Sequence, residues 1–214
     1  EIVENPPGKW EDLGAFGNFR NDERVCRFAL AAYGPFVLGS MGVINIRDLP
    51  SIASEHPWKQ SISDYTGIPQ QDIVYFKNEE NSAAYTVPAR VAADVDLCPF
   101  FYVAVDKHTR SVVLSIRGTL SLADVLTDCI ADATPFPPGG PNAVAHSGMV
   151  KAAELVRSRA GNAIDEAMKS SGYSHLTVTG HSLGAAVAHL VALTFAADWR
   201  DEPQVSLGGV AGEA

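Results

Sequence analysis

Hydrophobic and polar positions fall into blocks whose period and length assign element types. Phe100 to Val105 and Ser111 to Ile116 are two apolar runs split by the polar pentapeptide 106–110, a pattern that predicts two strands joined as a hairpin. From Met149 to Met168 apolar residues recur at 149, 152, 153, 156, 160, 163, 164, 167 and 168, the stripe of a long amphipathic helix. Ser170, Ser171 and Gly172 supply its stop. Leu176 to Thr179 is a short β-branched run suited to a buried strand, and Ala185 to Trp199 has almost no polar residue before Asp198, which predicts a buried helix. Weaker patterns predict a helix over Arg20 to Tyr33 and strands over Ile73 to Phe76 and Gln204 to Val210. Ser61 to Gln71 is polar and reads as turns, Pro135 to Pro141 is too rich in Pro and Gly for regular structure, and residues 1–8 read as an extended arm. Helices alternating with strands predict an α/β fold, a doubly wound, mostly parallel sheet.

Composition narrows the function classes. With 214 residues the chain can bury a substantial core, and 46% hydrophobic with 19% charged residues is the balance of a soluble globular protein. The net charge of −9 argues against a nucleic-acid partner and leaves a membrane surface open. Cys26, Cys98 and Cys129 are odd in number and lack metal-type spacing, so they read as scattered intracellular thiols, and no metal or cofactor is implied. The location expected is cytoplasmic or peripheral to a membrane, with no signal peptide visible at Glu1. Phe28 to Ile46 carries no charge, but Gly34, Pro35, Gly39 and Gly42 interrupt it. It reads as a buried or interfacial helix–turn segment, not a transmembrane helix.

The chemistry concentrates at residues 175–184, His-Leu-Thr-Val-Thr-Gly-His-Ser-Leu-Gly. In a chain with 18 glycines a bare Gly-x-Ser-x-Gly is a weak signal. Set between a β-branched strand and an apolar helix, it has the layout of a nucleophile elbow, a sharp turn that lifts the hydroxyl of Ser182 above the sheet. A serine hydroxyl is a poor nucleophile until a base takes its proton and N–H groups stabilise the oxyanion, and the elbow places the N–H of Leu183 for the second task. His181 adjoins the serine and should point away from it, toward the flank of the sheet. His146 precedes a helix and reads as a packing or hydrogen-bonding residue. His189 lies two helical turns past Ser182, about 10 Å away, too far to act as its base.

Three segments carry a resemblance: Arg117-Gly118-Thr119-Leu120-Ser121, His146-Ser147-Gly148-Met149 and Thr179 to Gly184. In this order they resemble the class 3 lipase family, the fungal lipase-like α/β-hydrolases, and Val112 to Asp128 is similar to sn-1-specific diacylglycerol lipases. The resemblance covers roughly residues 84 to 200. It implies an N-terminal arm and helical segment over 1–83 and a partial α/β-hydrolase domain over 84–214. It implies Ser182 as nucleophile, the N–H groups of Leu183 and Thr119 as oxyanion donors, Asp128 as support for Thr119, and 121–129 as the place of a short lid. The implied substrate is an acylglycerol lipid.

One departure stands out. The family order is serine, then an acid, then a histidine. After Ser182 this chain offers only Asp198, Asp201, Glu202, Glu213 and His189, and 208–214 does not match the family's next turn. The expectation is therefore a C-terminally incomplete hydrolase domain, inactive and poorly folded as these 214 residues alone. The rival reading is a lipase-like scaffold or lipid-binding protein that keeps the elbow as architecture. A serine esterase or acyltransferase on a non-lipid acyl group is a third.

Overall fold

The computed structural model describes residues 19–42, 57–76, 98–118, 133–199 and 204–207. Thr119, the segment 121–130, Asp128, Cys129 and the N-terminal arm lie outside the described residues. Helices α1 (Phe19–Ala31), α2 (Gly34–Ser40) and α3 (Pro57–Thr66) precede the strands β1 (Ile73–Phe76), β2 (Phe101–Asp106) and β3 (Ser111–Ile116). A small hairpin, β4 (Ala133–Pro135) and β5 (Val144–His146), leads into the long helix α4 (Ser147–Ser171). Strand β6 (His175–Gly180), helix α5 (Leu183–Asp198) and strand β7 (Gln204–Leu207) complete the order.

The central sheet has the order β1-β2-β3-β6-β7. The first two pairings are antiparallel and the last two parallel, with Ile116 opposite Gly180 at the end of the β3–β6 ladder. Every residue of β2 and β3 is buried, as expected of strands covered on both faces. Alternation splits them between two cores. Phe101, Val103 and Val105 join Leu114 and Ile116 beneath α4 and α5, while Tyr102, Ala104 and Val113 join Phe28, Trp58 and Ile62 beneath α1 and α3. The apolar stripe of α4 buries Val156, Ala160, Ile164 and Ala167 on the first face, and Gly172 (φ 71°) ends the helix with its N–H on the Met168 carbonyl. Residues on both sides of position 83 thus contribute to one sheet and share the second core.

Two segments differ from their sequence reading. Pro57 to Thr66 is helical, although 61–71 reads as turns. Its buried face is Trp58 and Ile62, four residues apart, and the polar surface of the turn satisfies itself: the Ser61 hydroxyl donates to the Trp58 carbonyl and the Thr66 hydroxyl to that of Ile62. Residues 133–146 are likewise partly regular. Pro135 fits because it ends a two-stranded ribbon; 137–139 form one 3₁₀ turn closed by the Gly140 N–H on the Pro137 carbonyl at 2.9 Å, and the Phe136 N–H bonds the Ala143 carbonyl across the loop at 2.8 Å.

Helix α1 is fixed to the sheet at both ends. Near its start Arg24 grips Asp106 with two hydrogen bonds of 2.7 Å, Asp106 being 1% exposed. Burial pushes the Asp106 pKa up, but hydrogen bonds from Arg24, Thr109 and the His108 N–H, with the guanidinium charge, outweigh it and hold the carboxyl below its ordinary value. Near its end the Phe28 carbonyl, one of the last four that lack an intrahelical partner, accepts from the hydroxyls of Tyr102 (2.9 Å) and Ser115 (2.8 Å). Burial pushes the Tyr102 phenol pKa up, so it stays a neutral donor.

Candidate active site at the strand-to-helix turn

β6 ends at Gly180 and α5 begins at Leu183, which leaves His181 and Ser182 to turn the chain. Ser182 takes φ 56° and ψ −128°, a conformation that L-residues with a Cβ avoid. Among the described residues the only other non-glycine at positive φ is Arg110. The side chain of Ser182 makes no capping bond to the helix it starts, and the residue is exposed. The Gly184 N–H bonds the His181 carbonyl (3.0 Å) and the Ala185 N–H bonds that of Ser182 (2.9 Å), so the helix winds directly out of the turn. The N–H of Leu183 belongs to the first turn, which has no intrahelical acceptor and lies at the positive end of the helix dipole.

Two glycines permit this turn. A Cβ on Gly180 would overlap the Gly184 carbonyl and lie 2.7 Å from the Ile116 carbonyl oxygen. One on Gly184 would overlap that same oxygen and approach the Gly118 nitrogen to 2.7 Å. Neither site has room for a methyl group, so the spacing Gly-x-Ser-x-Gly is a packing requirement of the turn against the exit of β3.

The same contacts locate the corner after β3. Because β3 and β6 are parallel and Ile116 faces Gly180, both chains leave the sheet at one end. Gly118 packs on the turn: a Cβ there would overlap the His181 carbonyl oxygen and sit 3.3 Å from the Gly184 nitrogen. Thr119 follows it in the sequence and, like Asp128, lies outside the described residues. Arg117 is buried at this corner. Its guanidinium carbon lies 5.3 Å from the Phe100 ring centroid and 5.8 Å from that of Trp58, so the cation is flanked by aromatic faces.

The described histidines near the site are engaged or distant. His181 Nδ1 is 2.9 Å from the Tyr33 hydroxyl, with the rings edge to face at 68°, in keeping with a structural role. His146 Nδ1 accepts from the Met149 N–H at the start of α4, in keeping with the hydrogen-bonding role read for it. His189 is exposed along α5. At the opposite end of the ladder, burial lowers the pKa of His175. Tyr33 is the participant that sequence reasoning missed. It stands 148 residues from its partner, inside an apolar run, and no local pattern marks it.

The family model for class 3 lipases matches residues 113–211. Diacylglycerol lipase-beta of Mus musculus is 30% identical over 90% of this chain, and diacylglycerol lipase-alpha of Homo sapiens is 36% identical over 53% of it. The chain spans 30% of the length of the first and 12% of the second. Among solved structures, lipase II from Rhizopus niveus superposes with a TM-score of 0.56 at 19% identity, covering 88% of this chain and 60% of that one, a likeness of fold. The strand–turn–helix at 175–198 and the corner it packs against both lie within the span 113–211 that matches the class 3 lipase family, on an α/β-hydrolase fold.

Proposed function

We propose that the chain contributes the nucleophile and oxyanion machinery of a serine hydrolase acting on acylglycerol esters of the diacylglycerol type. In this reading Ser182 Oγ attacks the ester carbonyl carbon and gives its proton to a base. The tetrahedral oxyanion is held by the N–H of Leu183 and by Thr119, with Asp128 orienting Thr119. Collapse expels the glycerol oxygen as an alcohol and leaves an acyl-serine, which water hydrolyses to the fatty acid and free serine. The single observation that carries the reading is the backbone of Ser182: a strained, exposed turn with its hydroxyl uncommitted to capping and the β3 exit packed beside it. Strain of this kind persists where the surrounding structure enforces it, and here Gly180, Gly184 and Gly118 do so.

The substrate class rests on the two diacylglycerol lipases among the relatives. It implies a substrate met at a lipid surface. Among the described residues no helix is long and apolar enough to cross a membrane. With His181 tied to Tyr33 and His189 about 10 Å along α5, the 214 residues on their own should turn over esters slowly. The test is release of fatty acid from a diacylglycerol in mixed micelles by the full-length protein. Hydrolysis abolished by Ser182→Ala supports the reading. Hydrolysis unaffected by that change, or an inactive protein that still binds the micelles, rejects it, the second result favouring the lipid-binding scaffold.

A further inference from the structure

Three chain segments distant in sequence meet at one hydroxyl. Tyr33 sits between α1 and α2, buried, with its own N–H on the Leu30 carbonyl at 3.0 Å. The next residue, Gly34, has φ 75° and no room for a Cβ against the Trp58 ring, so the tyrosine backbone is clamped. Its hydroxyl reaches His181 Nδ1 at 2.9 Å and lies where a Cβ on Gly118 would come within 2.7 Å of it. One side chain from the N-terminal helices thus touches both the turn that bears Ser182 and the corner that leaves β3.

We infer that Tyr33 is a positioning residue for hydrolysis at Ser182: by holding His181 against Gly118 it fixes the strained turn, and hence the direction of Ser182 Oγ and the Leu183 N–H. This rests on the function proposed above. His181 is exposed, so its side chain has little burial to hold it, and the hydrogen bond to a clamped phenol supplies the fixed point. The carbonyl of the same histidine accepts the Gly184 N–H that starts α5, so a shift of His181 carries into the first helical turn. Donors and nucleophile misplaced by a fraction of an ångström lose much of their effect in the transition state while substrate binding, made elsewhere, is retained.

The test is a double-mutant cycle in the full-length protein with Tyr33→Phe, His181→Ala and both together, reading kcat and KM on a soluble nitrophenyl ester and the thermal midpoint. Each single change is expected to lower kcat about tenfold with KM within about twofold, and the double change to be no worse than either. Inhibition by an alkyl boronic acid, tetrahedral once bound to the serine, should weaken by the same factor as kcat. A Tyr33→Phe protein with kcat within about twofold of the original, or losses that multiply in the double variant, overturns the inference. If Tyr33→Phe fails to fold, His181→Ala decides alone: full kcat there is equally fatal. Ester hydrolysis that survives Ser182→Ala would instead overturn the underlying function, a result separable from all of these.

Discussion

Replacing Ser182 by glycine should stabilise this protein while removing its proposed nucleophile. The serine holds φ 56° and ψ −128°, a region that costs a residue with a Cβ on the order of 1–3 kcal/mol and glycine almost nothing. The side chain is exposed and caps nothing, so its loss forfeits little packing or hydrogen bonding. Against the relief stands the greater freedom of glycine in the unfolded chain, about 0.4–1 kcal/mol. The balance is a gain of about 1 kcal/mol, which in a chain of this size raises the melting midpoint by about 2–4 °C. The right control is Ser182→Ala, which also removes the hydroxyl but keeps the Cβ and therefore the strain. Calorimetric or urea-induced unfolding of the three proteins separates the terms: alanine should match serine and glycine should exceed both. A glycine variant that melts at or below the alanine variant would refute the claim that the turn is strained.

Other outcomes follow from the same contacts. Gly184→Ala forces a methyl group into the β3 exit and should cost about 1–3 kcal/mol, read in the urea midpoint, and abolish esterase activity by displacing the turn. Arg24→Met strands the buried Asp106 carboxylate and should cost about 3 kcal/mol by chemical unfolding. Because Asp106 is held below its ordinary pKa, its stabilisation is complete above about pH 4, the unfolded value, and is lost as pH falls through the lower folded value; in Arg24→Met that acid limb should flatten. His175, lowered by burial, also destabilises the fold as pH falls below about 6.5, since the unfolded chain takes up the proton more readily, and His175→Gln should reduce the slope of stability against pH there. Ile62→Ala on α3 should cost about 2–4 kcal/mol, showing that this helix belongs to the folding unit of the sheet.

What could be read from the sequence followed the length scale of the signal. The β2–β3 hairpin, α4 and the 175–198 unit have a period that spans the whole element, and the residues that end them, such as Gly172, act locally. The turn at Ser182 was legible for the same reason, since five adjacent residues encode its steric needs. Helix α3 was not: its apolar face is narrow, and Ser61 and Thr66, which suggest turns, instead bond carbonyls within the helix. The β4–β5 ribbon was obscured by Pro135, harmless where it sits at the end of a strand. The Tyr33–His181 and Arg24–Asp106 contacts join residues 148 and 82 positions apart, so only the assembled sheet brings them together.

The central claim is that the hydroxyl at position 182 is the activated nucleophile, and covalent capture tests it most directly. The full-length protein treated with a fluorophosphonate should gain one adduct, mapped by peptide mass to Ser182 and absent from Ser182→Ala. No adduct on a correctly folded protein, or an adduct on a different residue, would contradict the account.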